Sequence, residues 1–207
     1  MNLGDAMRTR TTLLYFTLAA LAPGAIAGTT HPERLPPELR PLVAKGESVL
    51  AYDTADLNGD GLSDFVFIVE TAKADPGDRT AEEMPRTLKI ALRSRNGSLS
   101  VVKQNSKVAF CEACGGMFGD PFAGLDASTR SFTVGNYGGS GWRWSFGTTF
   151  NYSRRDNTWQ LVEVQTSSFH AADPENGEDK TMRPPRDFGK IDIADFDPDR
   201  FEGVGAR

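Results

Sequence analysis

The chain is poor in the residues that most often carry chemistry. Its 207 residues include two cysteines and two histidines. Imidazole is the side chain whose ordinary titration lies nearest neutral pH, so two histidines leave little room for acid–base work. His31 lies among prolines, and His170 is followed by Ala171-Ala172-Asp173, with no nucleophile motif beside either. A serine triad needs that neighbour. Gly135–Gly141 has glycines but no following helix and no suitably placed lysine, so it is not a phosphate-cradling loop. Glu70, Glu112, Asp120 and Asp126 could in principle form a carboxylate pair for glycoside hydrolysis, but no pattern joins any two of them. The expectation is a protein that is not an enzyme.

Long apolar runs are scarce as well. Thr12–Ala22 follows Arg8 and Arg10 and precedes Ala25-Ile26-Ala27, a small-x-small cleavage pattern. Residues 1–27 therefore read as an export signal, too short in its apolar part to serve as a membrane span. No cysteine follows the cleavage point, so a lipid anchor is not expected. The expected mature chain starts near Gly28, is soluble in the periplasm, and is long enough for one domain. Its formal charge of −5 becomes −6 once residues 1–27 are removed. That balance argues against a nucleic-acid partner and suits a basic protein partner. A monomer or weak dimer is expected.

The two cysteines, Cys111 and Cys114, are spaced C-x-x-C. In an oxidising compartment this predicts a disulfide. A redox pair needs the motif at the start of a helix, which Gly115-Gly116 opposes. Zinc would need two further soft ligands, and only the two histidines remain.

The most informative segment is Asp56-Leu-Asn-Gly-Asp-Gly-Leu-Ser-Asp64. Oxygen-bearing side chains stand at Asp56, Asn58, Asp60 and Asp64, Leu62 would offer its carbonyl, and Gly61 follows the third ligand where such loops turn. Calcium takes several oxygen ligands at this kind of spacing, so Ca2+ is the expected cofactor; a polar turn is the plainer alternative. Phe67 stands where an EF-hand has its bidentate glutamate, and both flanks are rich in strand formers. In this strand–loop–strand form the segment resembles the single calcium loop of FG-GAP repeats. No second copy is found, so a propeller of such repeats is not expected.

Strand signals dominate the rest. Residues 28–43 hold Pro32, Pro36, Pro37 and Pro41 and read as an extended arm. Residues 44–196 read as one β domain and 197–207 as a tail. Arg86–Arg93 alternates, Asn96-Gly97 is a strong hairpin signal, and Leu99–Lys103 returns. Lys107–Phe110 reads as a short strand, Lys73–Pro85 and Gly115–Gly124 as loops. In Trp142–Tyr152, Trp142, Trp144, Phe146, Phe150 and Tyr152 share one face, with Arg143, Ser145, Thr149 and Asn151 on the other. Ala171–Arg207 is acidic and turn-rich. The predicted fold is all-β: an antiparallel sandwich or barrel-like sheet of about eight short strands with the calcium loop.

The Gly138–Trp144 segment is the best candidate for a working surface. Arg and Trp often dominate protein interfaces, though alternating tryptophans also suit a core. Ser140-Gly141-x-x-Trp144 resembles the Ser-Gly-x-x-Tyr loop of periplasmic lysozyme inhibitors, with Trp144 in place of the tyrosine. Taken with the export signal, the calcium loop and Cys-Glu-Ala-Cys-Gly-Gly, the chain resembles periplasmic immunity proteins of antibacterial secretion systems. The lipidated examples have an N-terminal cysteine that this chain lacks. The resemblance implies a protein partner, a peptidoglycan hydrolase of lysozyme-like type, whose cleft is blocked by an inserted loop. Tyr137, Ser140, Gly141, Arg143 and Trp144 are the candidate target-binding residues. The alternative function is a calcium-stabilised carbohydrate or cell-surface binding module, with Trp142, Trp144 or Tyr137 as a sugar platform.

Overall fold

The computed structural model describes residues 35–201. The expected export signal, His31, the first part of the proline arm and the end of the tail lie outside the described residues.

Among the described residues nine strands form two antiparallel sheets. The first sheet holds β1 (Glu47–Ala55), β2 (Asp64–Thr71), β3 (Thr87–Arg93) and β4 (Leu99–Asn105) in sequence order. The second holds β5 (Phe122–Ser128), β6 (Ser131–Gly139), β7 (Trp142–Ser153), β8 (Thr158–His170) and β9 (Asp173–Met182), also in order. The two meanders face each other as a sandwich, not a closed barrel. One short helix, α1 (Arg79–Glu82), interrupts the charged loop before β3, its start capped by Asp78, which accepts from Thr80 N and Ala81 N.

Alternation explains most of the register. Phe132, Val134, Phe146 and Phe150 of the second sheet meet Val66, Ile68, Leu88 and Ile90 of the first in one core. The opposite face of β2 is also buried: Phe65, Phe67 and Val69 pack with Leu39 in a second, smaller cluster. This accounts for the nearly unbroken apolar run of β2, a strand buried on both sides.

Several expectations need correction. The described part of the arm, residues 35–43, is not extended: Leu39 is fully buried and Arg40–Leu42 form a 3-10 turn. Lys107–Phe110 is not a strand. Its backbone is satisfied by side chains instead, with Val108 N donating to Asn105 Oδ1, Phe110 N to Asn136 Oδ1, and Asn136 Nδ2 donating to Val108 O. Two strands were not expected, β5 and β9. The core also runs past residue 196, because Phe201 stacks on Phe196 with ring centroids 6.0 Å apart.

Candidate functional site

Two glycine pairs approach each other at one end of the second sheet. Gly115-Gly116 follows the Cys111–Cys114 disulfide, whose Cα atoms are 5.1 Å apart. Gly138-Gly139 ends β6. Gly116 and Gly139 form a parallel bridge, and Met117 N donates to Gly139 O at 3.0 Å. No side chain fits between them. A Cβ on Gly138 would lie 2.6 Å from the Trp144 ring and 2.8 Å from Gly115 O, and one on Gly116 would lie 3.1 Å from Gly139 O. Gly116 also has φ of +69°, which glycine adopts without cost.

The far end of the same loop is fixed by a buried guanidinium. Arg86 donates to both oxygens of Asp120 (2.6 and 2.7 Å), to Glu70 Oε2 (3.0 Å) and to Phe110 O (3.2 Å). Burial alone would lower its pKa, but Asp120 and Glu70 hold it above its ordinary value. Glu70 and Asp120, two of the acids considered for catalysis, are thus brought together as counter-ions of Arg86. Glu112 pairs with Lys73 at 2.7 Å. Tyr137 N donates to Pro121 O at 2.7 Å, closing the loop onto β6.

The loop held this firmly shows its apolar side chains to solvent. Met117 is 86% exposed and Phe118 46%. Phe118 lies edge-on to Tyr137, centroids 6.0 Å apart, and the Arg143 guanidinium covers the Phe118 ring at 3.6 Å. Arg143 pairs with Gly139 and Tyr137 with Ser145 across β6 and β7, which puts Arg143 and Tyr137 on the outer face of the sheet. Arg143 Nε is buried and has no hydrogen-bond partner. Beside this cluster, Trp142 is 62% exposed and packs edge-on to His170, centroids 5.3 Å apart.

The structure sorts the expected target-binding residues. Tyr137 and Arg143 come together through Phe118. Ser140 and Gly141 form the exposed hairpin tip, where Ser140 N donates to Trp142 O and Ala171 N donates to Gly141 O, both at 2.7 Å. Trp144 does not join them. It is 8% exposed and packs on Phe110 in the core, centroids 5.9 Å apart. The alternation of β7 is as expected, but Trp142 lies beyond the edge of the core, so the exposed tryptophan is Trp142. Sequence reading missed Met117 and Phe118; the only signal was two large apolar residues in a glycine-rich loop.

The Asp56–Asp64 loop joins β1 to β2 near the opposite edge. Asp56 accepts from Gly59 N, Asp60 N and Gly61 N at 2.8–3.0 Å. Asp60 accepts from Leu62 N at 2.9 Å and from Asn58 Nδ2 at 3.0 Å. Asp64 is fully buried and accepts from Arg93 N (2.8 Å) and Leu57 N (3.0 Å). Burial pushes its carboxyl above the ordinary value, the charges of Asp60 and Asp56 push the same way, and the two amide bonds oppose. Leu57 O accepts from Trp159 Nε1 at 3.0 Å, which ties the loop to the second sheet. Among the described residues no three His, Cys, Asp or Glu side chains are gathered to hold a metal ion. The loop has oxygen donors of the type and order that calcium takes, but they accept from the loop's own amides and are not gathered around a common point.

No protein-family model matches the chain, and no curated protein matches it. Among solved structures it is similar to one described as a Xanthomonas type IV secretion system related protein, at 17% identity and a TM-score of 0.37. The match covers 69% of this chain and 57% of that one. Among the described residues no helix is long and apolar enough to cross a membrane.

Proposed function

We propose that this chain is an exported, calcium-binding immunity protein. In this reading it captures a lysozyme-like peptidoglycan hydrolase and blocks its cleft with the Phe118, Tyr137, Trp142 and Arg143 surface. One observation carries the reading. A loop fixed by a disulfide, a backbone bridge and a buried guanidinium displays Met117 and Phe118 to water. Ordering a loop costs about 1–2 kcal/mol per residue, and leaving large apolar side chains exposed returns nothing to folding. A partner that covers them does return it. Aromatic and arginine side chains set on rigid backbone are what dominates such contacts.

The mechanism needs no bond-making by this chain. The hairpin tip at Ser140 and Gly141 enters the partner's cleft. Arg143, already held flat on Phe118, offers its donors to a carboxylate there. Trp142 covers the neighbouring sugar subsite. When bound, calcium supplies positive charge to the Asp56–Asp64 loop and steadies the β1–β2 connection. Asp56, Asn58, Asp60, the Leu62 carbonyl and Asp64 would hold it.

The test is inhibition of peptidoglycan lysis by a lysozyme-like hydrolase. Stoichiometric inhibition that Phe118→Ala and Arg143→Ala both weaken supports the reading. Undiminished lysis in excess of the protein, with retention of the protein on purified peptidoglycan, supports a cell-surface binding module instead.

A further inference from the structure

A cavity lies away from the target-binding surface. Trp142 and His170 stand at the hairpin end of β8 and β9, opposite Asp173. Lys180 pairs with Thr166, four residues back along β8 from His170, roughly 13 Å at the rise of a strand. There a cavity of about 470 Å³ opens between the end of β9, the loop that follows it and the last 3-10 turn, Pro198–Arg200. Its floor is apolar: Met182, Ile191 and Phe201 are buried, and Phe188 stands edge-on to Phe201 with centroids 5.5 Å apart. Its rim is cationic, formed by Lys180, Lys190 and Arg200.

The acid in its wall, Asp187, is bonded to a neighbouring guanidinium and also faces Lys180 of the rim. Asp187 accepts from Arg186 Nε and Nη2 at 2.9 and 2.8 Å and from Arg183 N at 2.8 Å. Lys190 is paired with Asp156. Lys180 and Arg200 are exposed and make no ion pair among the described residues, although Asp187 faces Lys180 and Asp197 faces Arg200 at longer range. An apolar floor with a few convergent polar groups is the usual make-up of a small-molecule site. The size is in the range for one ligand, and the sign of the rim selects an anion.

We infer that this cavity is a binding site for a small amphipathic anion, an acyl chain or aromatic ring carrying a carboxylate or phosphate. The apolar part lies on Phe188, Ile191 and Phe201, and the charged head sits between Lys180 and Arg200. The site is independent of the target-binding surface, since no residue is shared.

The experiment uses the full mature chain and decanoate as the probe, followed by calorimetry below its micellar concentration. Decanoate binds at one site per chain, and Lys180→Glu with Arg200→Glu weakens it by about tenfold or more. The neutral pair Lys180→Gln with Arg200→Gln weakens it in the same direction, should the charge reversal disturb folding. Decanol and inorganic phosphate, each carrying half of the required chemistry, bind less well than decanoate. Sedimentation with vesicles containing an anionic phospholipid distinguishes a membrane lipid from a free amphiphile. Binding to vesicles without binding of monomeric decanoate overturns the inference. So do decanoate affinity unchanged in both double variants, phosphate binding as tightly as decanoate, or a dimer of this chain that the double variants dissociate.

Discussion

The guanidinium of Arg143 lies 3.6 Å from the centre of the Phe118 ring, although 25 positions in sequence separate them. A cation over an aromatic face is attracted by the ring's quadrupole. The contact therefore links the disulfide loop to the β6–β7 hairpin through exposed Phe118 and half-buried Arg143. Their backbones are already linked by the Gly116–Gly139 bridge.

Arg143→Ala and Phe118→Ala should each lower affinity for the hydrolase by about 2 kcal/mol or more, the size of an interface hot spot. Both side chains lie outside the core, so the melting temperature should move little. Titration calorimetry beside thermal unfolding separates the two effects. Trp144→Ala should do the reverse in kind, costing stability by about 3–5 kcal/mol as a large-to-small core change.

Gly138→Ala should damage the same surface through the backbone. Its Cβ would lie 2.6 Å from the Trp144 ring and 2.8 Å from Gly115 O. Overpacking of this kind costs about 1–3 kcal/mol. The loop carrying Phe118 should exchange its amide protons faster in the variant, which hydrogen exchange at Met117 reports directly. Met117 N is the donor of the bond to Gly139 O.

Calcium should raise the melting temperature, and a chelator should lower it again. With free calcium about 100-fold above the dissociation constant, the gain is about 2.7 kcal/mol. Asp64→Ala should abolish the calcium response. It also removes the partners of Leu57 N and Arg93 N, so the calcium-free variant should itself be less stable than the calcium-free parent.

Acid should destabilise the protein through Asp192. Burial would raise this carboxyl, but Thr158, Ala194 N and Lys103 hold it below its ordinary value of 3.8. A carboxylate lowered in the folded state stabilises above its unfolded pKa, and that contribution is lost as pH falls through the folded one. Asp192→Asn should therefore flatten the stability profile below about pH 4. At neutral pH it should cost about 1–3 kcal/mol, the range for a lost charged hydrogen bond. Urea unfolding at stepped pH measures both. The ion pairs of Asp187 and Asp156 titrate in the same direction, with Asp187 lowered to about 2 by Arg186 and the Arg183 N–H.

Much of the fold was legible because one sheet face is buried. The alternation of β7 and the Asn96-Gly97 turn between β3 and β4 both followed from local pattern. β9 did not, because nine of its ten residues, Asp173–Thr181, are exposed and carry charge on both faces. Such an edge strand has no apolar period to read, and its charges discourage pairing with other chains. At the site, Arg143 and Tyr137 could be named from sequence. Phe118 could not, because its place depends on two glycine pairs meeting across the fold. Trp142 and Trp144 share a face in the sequence pattern, and only the position of the sheet end exposes one and buries the other.

The most direct measurement is peptidoglycan lysis by a lysozyme-like hydrolase, titrated with the parent protein and with Phe118→Ala plus Arg143→Ala. The account predicts that lysis stops near one molecule of parent protein per hydrolase and continues with the double variant at the same ratio. Equal inhibition by both proteins, or lysis unaffected by an excess of the parent, would contradict it.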